Sequence, residues 1–455
     1  MTTTSIVIII LLAYVAIMFL VGKYAGKRIH SFRDAIAAPG QTTLWLLVGS
    51  AIGSHIGSGF VVGGAEYGAL YGIGGAWYGI ACGLSYLAVA AISGFIYRNK
   101  FISVSDYFTQ RYRGKAPRLI YSIATICGVI SALAGQLLAG RAIFQALGMP
   151  SRWGVVLTAV VALILANLSG LLGSMAASSL QSVIIFFGIV VAFAAAFIYA
   201  GPQVLTQLPE TYFDPIPFDG EFLVSITLPL ILSALVYQMG FQTIVSTKSA
   251  KTAFWGYTLA GLILLPIAFI PPVLGMFGRQ LFPELAPSAV FMELLMTKLP
   301  PVVAAIILAA IICAVIASCN GSYVAVATSF VHDIYQGMLA PQADSKTCRR
   351  LMLVVDVAAC GVAILLALRM NDIIQLLSMG YSILAAGCLV PFFGGVLWKR
   401  GTTAGALASA VVGIAATIGS TLGLIHLPYA SITSVALAAV VFVGVSLVCP
   451  DPKKE

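Results

Sequence analysis

The chain has 455 residues, of which 60% are hydrophobic and only 9% charged, and its mean hydropathy is +1.03. That composition excludes a soluble domain and defines an all-α polytopic membrane protein. A net charge of +9 would suggest nucleic acid only if the basic residues formed one patch; they are divided among short connections between apolar runs, so no nucleic-acid partner is expected.

The first apolar run, residues 5–22, has no basic stretch before it and no small-residue cleavage site after it. It reads as a retained span, not a signal peptide. Further spans are expected at 42–63, 70–97, 119–147, 153–171, 173–200, 222–246, 253–278, 300–330, 350–368, 373–397, 403–424 and 430–449, thirteen in all. Taking the connections alternately, one side collects the Lys and Arg residues within 23–33, 98–118, 248–251, 346–350, 399–400 and 453–454. The other side keeps Arg141, Arg152, Arg279, Lys298 and Arg369, and holds an acidic loop at 210–221. The positive-inside rule then puts the N-terminus outside and the C-terminus in the cytoplasm, in a cytoplasmic (plasma) membrane. Of eight cysteines, Cys82, Cys127, Cys313, Cys319, Cys360 and Cys388 fall inside apolar runs. They read as small hydrophobes, not as a disulfide framework or a metal site.

The second span and its continuation, 44–75, read LWLLVGSAIGSHIGSGFVVGGAEYGALYGIGG. Each Gly in place of Ala weakens a helix by roughly 0.8–1 kcal/mol, and glycines here recur at 49, 53, 57, 59, 63, 64, 68 and 72 among polar groups. Backbone freed inside a bilayer is tolerated where protein buries it or water reaches it. Secondary transporters build midplane sites from such broken helices, so an opened helix around 49–59 is expected; close packing of small residues is the competing explanation. The seventh span, TLPLILSALVYQMGFQTIVS, is interrupted in the same manner.

Candidate solute-binding residues follow from these interruptions. Ser54, His55 and Gly57 lie in the expected break, and Glu66 is an intramembrane acid toward its outer end. Tyr237 and Gln238 sit at the second interruption; Gln136, Gln375 and Ser378 are polar groups in other spans. The alternatives are an imidazole satisfied by a freed carbonyl for His55, a place in the outer vestibule for Glu66, ordinary packing for Tyr237 and Gln238, and interhelical hydrogen bonding for Gln136, Gln375 and Ser378. Arg141 is expected at an interface, and Asp356 beside Arg349 and Arg350, with which it would pair. No nucleophile with an identifiable base, metal-ligand spacing or phosphate-cradling loop is present, so neither an enzyme nor a cofactor is expected.

Several stretches together resemble the sodium/solute symporter family: FISVSDYFTQRYRG (101–114), LSGLLGSMAASSLQS (168–182), FQTIVSTKSAKTA (241–253) and AAIILAAIICAVIASCNGSYVAVATSFVHDIY (304–335). HIGSGFVVGGAE (55–66) is similar to the branch containing choline transporters, although a His where that branch has an aromatic cage residue argues against a quaternary ammonium ligand. The resemblance implies a five-plus-five inverted repeat of the leucine-transporter type. The core would span 42–397, preceded by a first helix and loop (1–41) and followed by C-terminal helices and a short tail (398–455). It also implies a candidate sodium site between the second and ninth spans. Carbonyls would come from Gly49, Ile52 and Ala314, and two side chains from positions that read Ala317 and Ser318, so one hydroxyl is missing. Ser178 stands where many members carry an Asp associated with a further sodium, and Asp356 where an Arg is common.

The expected activity is secondary active import of a small organic solute, coupled to at most one sodium. The alternatives are a sodium-independent or proton-coupled transporter or exchanger, and a transporter-like sensor or channel. The expected partners are the solute, sodium or a proton and the lipid bilayer, with no obligatory protein partner.

Overall fold

Every backbone polar group in a bilayer needs a partner within the chain, and this chain meets that demand with helices. The computed structural model describes residues 3–26 and 31–451. Among those residues it contains no strand, only one isolated bridge between Thr42 and Thr247.

A long apolar α1 (Thr3–Gly26) is followed by α2 (Phe32–Ile36), opened by a reciprocal Ser31 and Asp34 capping box. α3 (Leu44–His55) stops at Ile56, and a π-helical turn over Gly59–Gly63 feeds α4 (Gly64–Tyr71). Then come α5 (Trp77–Asn99), the short α6 (Val104–Arg111) and α7 (Ala116–Ala146). α8 (Ser151–Tyr199) is two helices joined at Gly170, whose φ of 55° and ψ of −164° suit only glycine. After α9 (Gln203–Thr206), α10 (Gly220–Ala234) and α11 (Gln238–Ser246) form a pair bent by 41°. α12 (Ala250–Ile267), α13 (Ile270–Leu281) and α14 (Pro287–Lys298) precede α15 (Pro301–Ala327). The remainder is α16 (Ser345–Arg369), α17 (Ile373–Leu384), α18 (Val390–Leu397), α19 (Thr403–Thr421) and α20 (Ala430–Val448).

Ten of the described helical segments are long and apolar enough to cross a bilayer, and eleven if α10 with α11 counts as one span. The thirteen expected spans are not reproduced by that criterion. The first run and α3 are apolar but shorter, because α1 has its apolar window only over Ser5–Val21 and α3 ends at the break.

α15 is apolar around its whole circumference and is correspondingly buried from Ile307 to Ala327. It packs on α8, α7, α1 and α3 and forms the axis of the bundle.

Side chains tie the helix ends into two faces. On one, the Arg111 guanidinium donates to the carbonyls of Gly395 (2.8 Å), Trp398 (3.1 Å) and Gly401 (3.0 Å), Lys115 Nζ to Met338 O (2.9 Å) and Tyr97 Oη to Lys248 O (3.1 Å). On the other, Arg141 donates to Met370 O and Asn371 Oδ1, and Tyr212 Oη to Ala69 O. The first is therefore the basic face, as the alternating count of connections expected. Lys27, Arg28, Lys453 and Lys454 lie outside the described residues.

Candidate functional site

In an unbroken helix the Ser58 N–H would bond the Ser54 carbonyl four residues earlier. Here it is diverted: Gln136 Oε1 on α7 accepts it at 2.8 Å, while Ser58 Oγ donates to Gly135 O at 3.0 Å. The Ser54 carbonyl instead accepts a hydrogen bond from Ser318 Oγ on α15 at 2.7 Å. Gly57 lets the three elements converge, since a Cβ there would stand 2.4 Å from Gln136 Oε1 and 2.7 Å from Ser318 Oγ. The break thus joins α3 to α7 through the freed Ser58 N–H and to α15 through the freed Ser54 oxygen.

Beside it lies a cavity of about 900 Å³, open space included, whose walls come from α3, α5, α7, α10, α11, α12, α15 and α17. Among the described residues no Asp, Glu, Lys or Arg lines it. Its walls are rich in tyrosine: Tyr78, Tyr86, Tyr237, Tyr257 and Tyr381 all contribute. Tyr86 Oη donates to Ala51 O at 2.6 Å and lies 2.6 Å from His55 Nδ1, with the two rings 4.3 Å apart. A carbonyl can only accept, so the single phenol proton goes to Ala51 and His55 Nδ1 must carry the other. His55 is then the Nδ1–H tautomer, and its Nε2 keeps a free lone pair on a residue that faces the cavity. Gln136, with its oxygen bonded to Ser58, retains its NH2 as a donor on the same cavity. Tyr257 packs on Tyr86 at 5.3 Å and shares a hydrogen bond with Thr243.

Of the solute-site residues expected from sequence, Ser54, His55, Gln136 and Tyr237 line this cavity, as does Ser318, and Gly57 abuts it. The others lie elsewhere. Gln238 is one residue beyond the break, and its amide ties α11 to α6 through Ile102 O (3.2 Å) and the Val104 N–H (3.3 Å). Glu66 is half-buried on α4 outside the lining. Gln375 is exposed in the first turn of α17, its N–H capped by Asp372 at 2.8 Å, and Ser378 is half-buried one turn on.

Of the carbonyls expected at the ion site, those of Gly49 and Ile52 lie within α3. Gly49 packs on Ser179 of α8, and the Ile52 carbonyl keeps its helical bond to the Ile56 N–H at 2.9 Å. Residues 44–55 hold a regular helix against α8, so the break falls at 56–58 and the oxygen that reaches Ser318 is that of Ser54. The Ala314 carbonyl also accepts from Ser318 Oγ, at 3.2 Å, and Ala317 is fully buried. Ser178 is buried with no hydrogen-bond partner for its hydroxyl among the described residues.

Asp356 does not pair with Arg349 or Arg350. Six and seven residues along a helix are roughly 9–10 Å, and side chains lean toward the helix N-terminus, away from Asp356. Its partner is Asn167, which donates at 2.9 Å. One acidic–basic cluster does form, at the basic face. Asp106 lies 3.2 Å from His332 and 3.7 Å from Arg118; Asp333 lies 3.8 Å from Arg118 and accepts from Ser103 Oγ at 2.6 Å. Asp106, His332 and Asp333 are spaced closely enough for a metal ion, but Arg118 already supplies positive charge to both carboxylates. Burial alone would raise the Asp106 carboxyl, but His332, the Ser103 N–H and Arg118 together hold it below the usual carboxylate range.

The cavity residues missed by sequence reasoning are mainly the tyrosines. A phenol in mid-bilayer needs a hydrogen-bond partner, and that need was the available signal at Tyr86 and Tyr257.

Bent membrane helices that release a backbone oxygen beside a polar cavity define a secondary transporter. The chain belongs to the Sodium:solute symporter family, which it matches over residues 36–413. It is accordingly a secondary transporter of small organic solutes, not an enzyme. It is similar to the sodium/pantothenate symporter of Haemophilus influenzae, 22% identical over 330 residues, covering 70% of this chain and 68% of that one. Similarity extends to the high-affinity choline transporter 1 of Caenorhabditis elegans (22% over 452 residues; 89% and 77% covered). It includes the sodium/proline symporter of Escherichia coli (24% over 441 residues; 88% and 84%). Among solved structures, a sodium-coupled sialic acid symporter in a substrate-bound, outward-open state superposes with a TM-score of 0.81 over 99% of each chain, at 19% identity. A nucleobase-cation-symport-1 family transporter in a closed conformation gives 0.56 over 91% of this chain and 94% of its own, at 10% identity.

Proposed function

We propose that this chain imports a solute of no net charge across the cytoplasmic membrane together with at most one sodium ion. The observation that carries the ion half is the Ser54 carbonyl, released by the α3 break and facing Ser318. Sodium is a hard cation that favours several oxygens; Ser54 O, Ala314 O and Ser318 Oγ supply three, and Ala317 adds none. The solute half rests on a cavity without charged walls. A charged solute without a countercharge would be costly to desolvate there. The solute presents an N–H or O–H to His55 Nε2 and an acceptor to the Gln136 amide, and its apolar part lies among the tyrosines.

The basic face is read as cytoplasmic, which leaves the N-terminus outside. Residues 42–397 form the inverted-repeat transport core, flanked by 1–41 and 398–455. A sodium-independent or proton-coupled cycle is the second reading, favoured by Ala317 and by Ser178 in place of an acid. Uptake into proteoliposomes, with sodium and proton gradients imposed separately against a panel of neutral, zwitterionic, anionic and cationic solutes, separates the two. Saturable uptake of a neutral or zwitterionic solute driven by sodium alone supports the first; uptake driven only by protons supports the second.

A further inference from the structure

A second cavity, about 1170 Å³ with open space included, opens on the basic face between α16, α2, α8 and α15. Lys346, Arg349 and Arg350 line it. Their spacing of three and four places them on one side of α16. All three are exposed, and no carboxylate lies within ion-pair distance of any of them among the described residues. The nearby Asp344 is engaged as the α16 N-cap, accepting the Thr347 N–H at 3.3 Å. Gly170, at the turn between the two halves of α8, contributes no side chain to the wall and leaves the cavity room. Immediately deeper along α16 the surface turns apolar and stays exposed: Leu353 is 49%, Val354 63% and Val357 53% accessible.

We propose that this cavity holds the headgroup of an anionic glycerophospholipid, with an acyl chain lying along Leu353, Val354 and Val357. The cations stand in the first two turns of a membrane-spanning helix, the depth of a lipid phosphate. Two guanidiniums and an ammonium match a phosphodiester, which arginine grips through paired N–H donors. Asp356 closes the inner end; its Oδ2 accepts from Asn167 and its Oδ1 has no partner among the described residues. A free phosphate would use the cations but leave the apolar strip beneath without a role, which is why the lipid is the occupant.

At about 1 kcal/mol per basic residue near an anionic lipid, three cations amount to roughly a hundredfold preference over a zwitterionic headgroup. Native mass spectrometry of the purified full chain, titrated with phosphatidylglycerol and with phosphatidylcholine of the same chains, reads it directly. The wild type is expected to retain one phosphatidylglycerol about a hundredfold more tightly than phosphatidylcholine. Lys346→Gln/Arg349→Gln/Arg350→Gln is expected to bring the two lipids level, while Lys399→Gln/Arg400→Gln, on the same face but outside the cavity, keeps the preference. Should the triple variant fail to fold, Arg350→Gln alone must still weaken retention about fivefold. Equal retention of both lipids by the wild type overturns the proposal. So does loss of the preference in the Lys399/Arg400 variant, or displacement of the lipid by equimolar inorganic phosphate.

Discussion

Tyr86 decides which way His55 can bond. With the phenol in place its proton is fixed on Ala51 O, and His55, which lines the cavity, keeps a bare Nε2. Tyr86→Phe removes the acceptor of His55 Nδ1–H, and the ring can then adopt either tautomer. A hydrogen bond of this kind contributes about 0.5–1.5 kcal/mol, so the half-saturating solute concentration should rise up to about tenfold with maximal uptake little changed. Uptake kinetics in proteoliposomes check this; an unchanged half-saturation would separate His55 from solute recognition. His55 was legible in the sequence because a lone imidazole in a glycine-rich span stands out. Its partner was not, because Tyr86 sits thirty-one residues away on another helix and no local pattern marks that meeting.

Among elements, α3 shows how two explanations of one glycine-rich run can both hold. Gly49 and Gly53, one turn apart, let α3 lie directly on α8: a Cβ on Gly53 would stand 2.1 Å from Ser178 O. Gly57, one turn further, allows the convergence with Gln136 and Ser318. Composition announced the weakness of the helix, but only packing fixes where it opens. The expected window of 49–59 therefore narrowed to 56–58, with Gly49 and Ile52 inside the helix and the Ser54 carbonyl meeting Ser318. Gly53→Ala should destabilise by about 1–3 kcal/mol through overpacking, against the helix propensity that favours Ala. Gly94→Ala on α5, where only Arg98 lies within 4 Å, at 3.8 Å, should be neutral or mildly stabilising. Thermal unfolding in detergent compares them, and equal effects would contradict close α3–α8 contact.

α6 supplies the second element-scale expectation. Asp106 caps its own helix and holds His332 and Arg118. Because its carboxyl is held below the usual range in the folded protein, its stabilisation is present above the unfolded-state value and is lost as pH falls through that value, about 4, and below. Asp106→Asn should thus melt lower than the wild type at pH 7, with the gap closing as pH falls below about 4. A gap that persists in acid would mean that the charge is not what the helix uses.

At the scale of the molecule, the sequence carried the class well. Apolar runs and the alternating distribution of Lys and Arg anticipated a helical bundle with one basic face, since burial and membrane insertion act on composition over whole segments. The number of spans was less legible, because a broken helix and a bent pair have the composition of continuous ones. The cavity was least legible of all: eight helices line it, and Tyr78, Tyr86 and Tyr257 come from two helices in which the sequence singled out no site residue.

Transport by such a bundle requires that ion and solute favour one arrangement over the other, and differential affinity is the only means by which they can do so. On the proposed function that difference would arise at the junction of α3 and α15, where Ser318 bonds the Ser54 oxygen. The most direct measurement is the sodium dependence of solute uptake by wild type and Ser318→Ala in proteoliposomes. In the variant the half-saturating sodium concentration is expected to rise about tenfold or more, equivalent to about 1.4 kcal/mol, while the solute still binds. Identical sodium curves for the two proteins would contradict it.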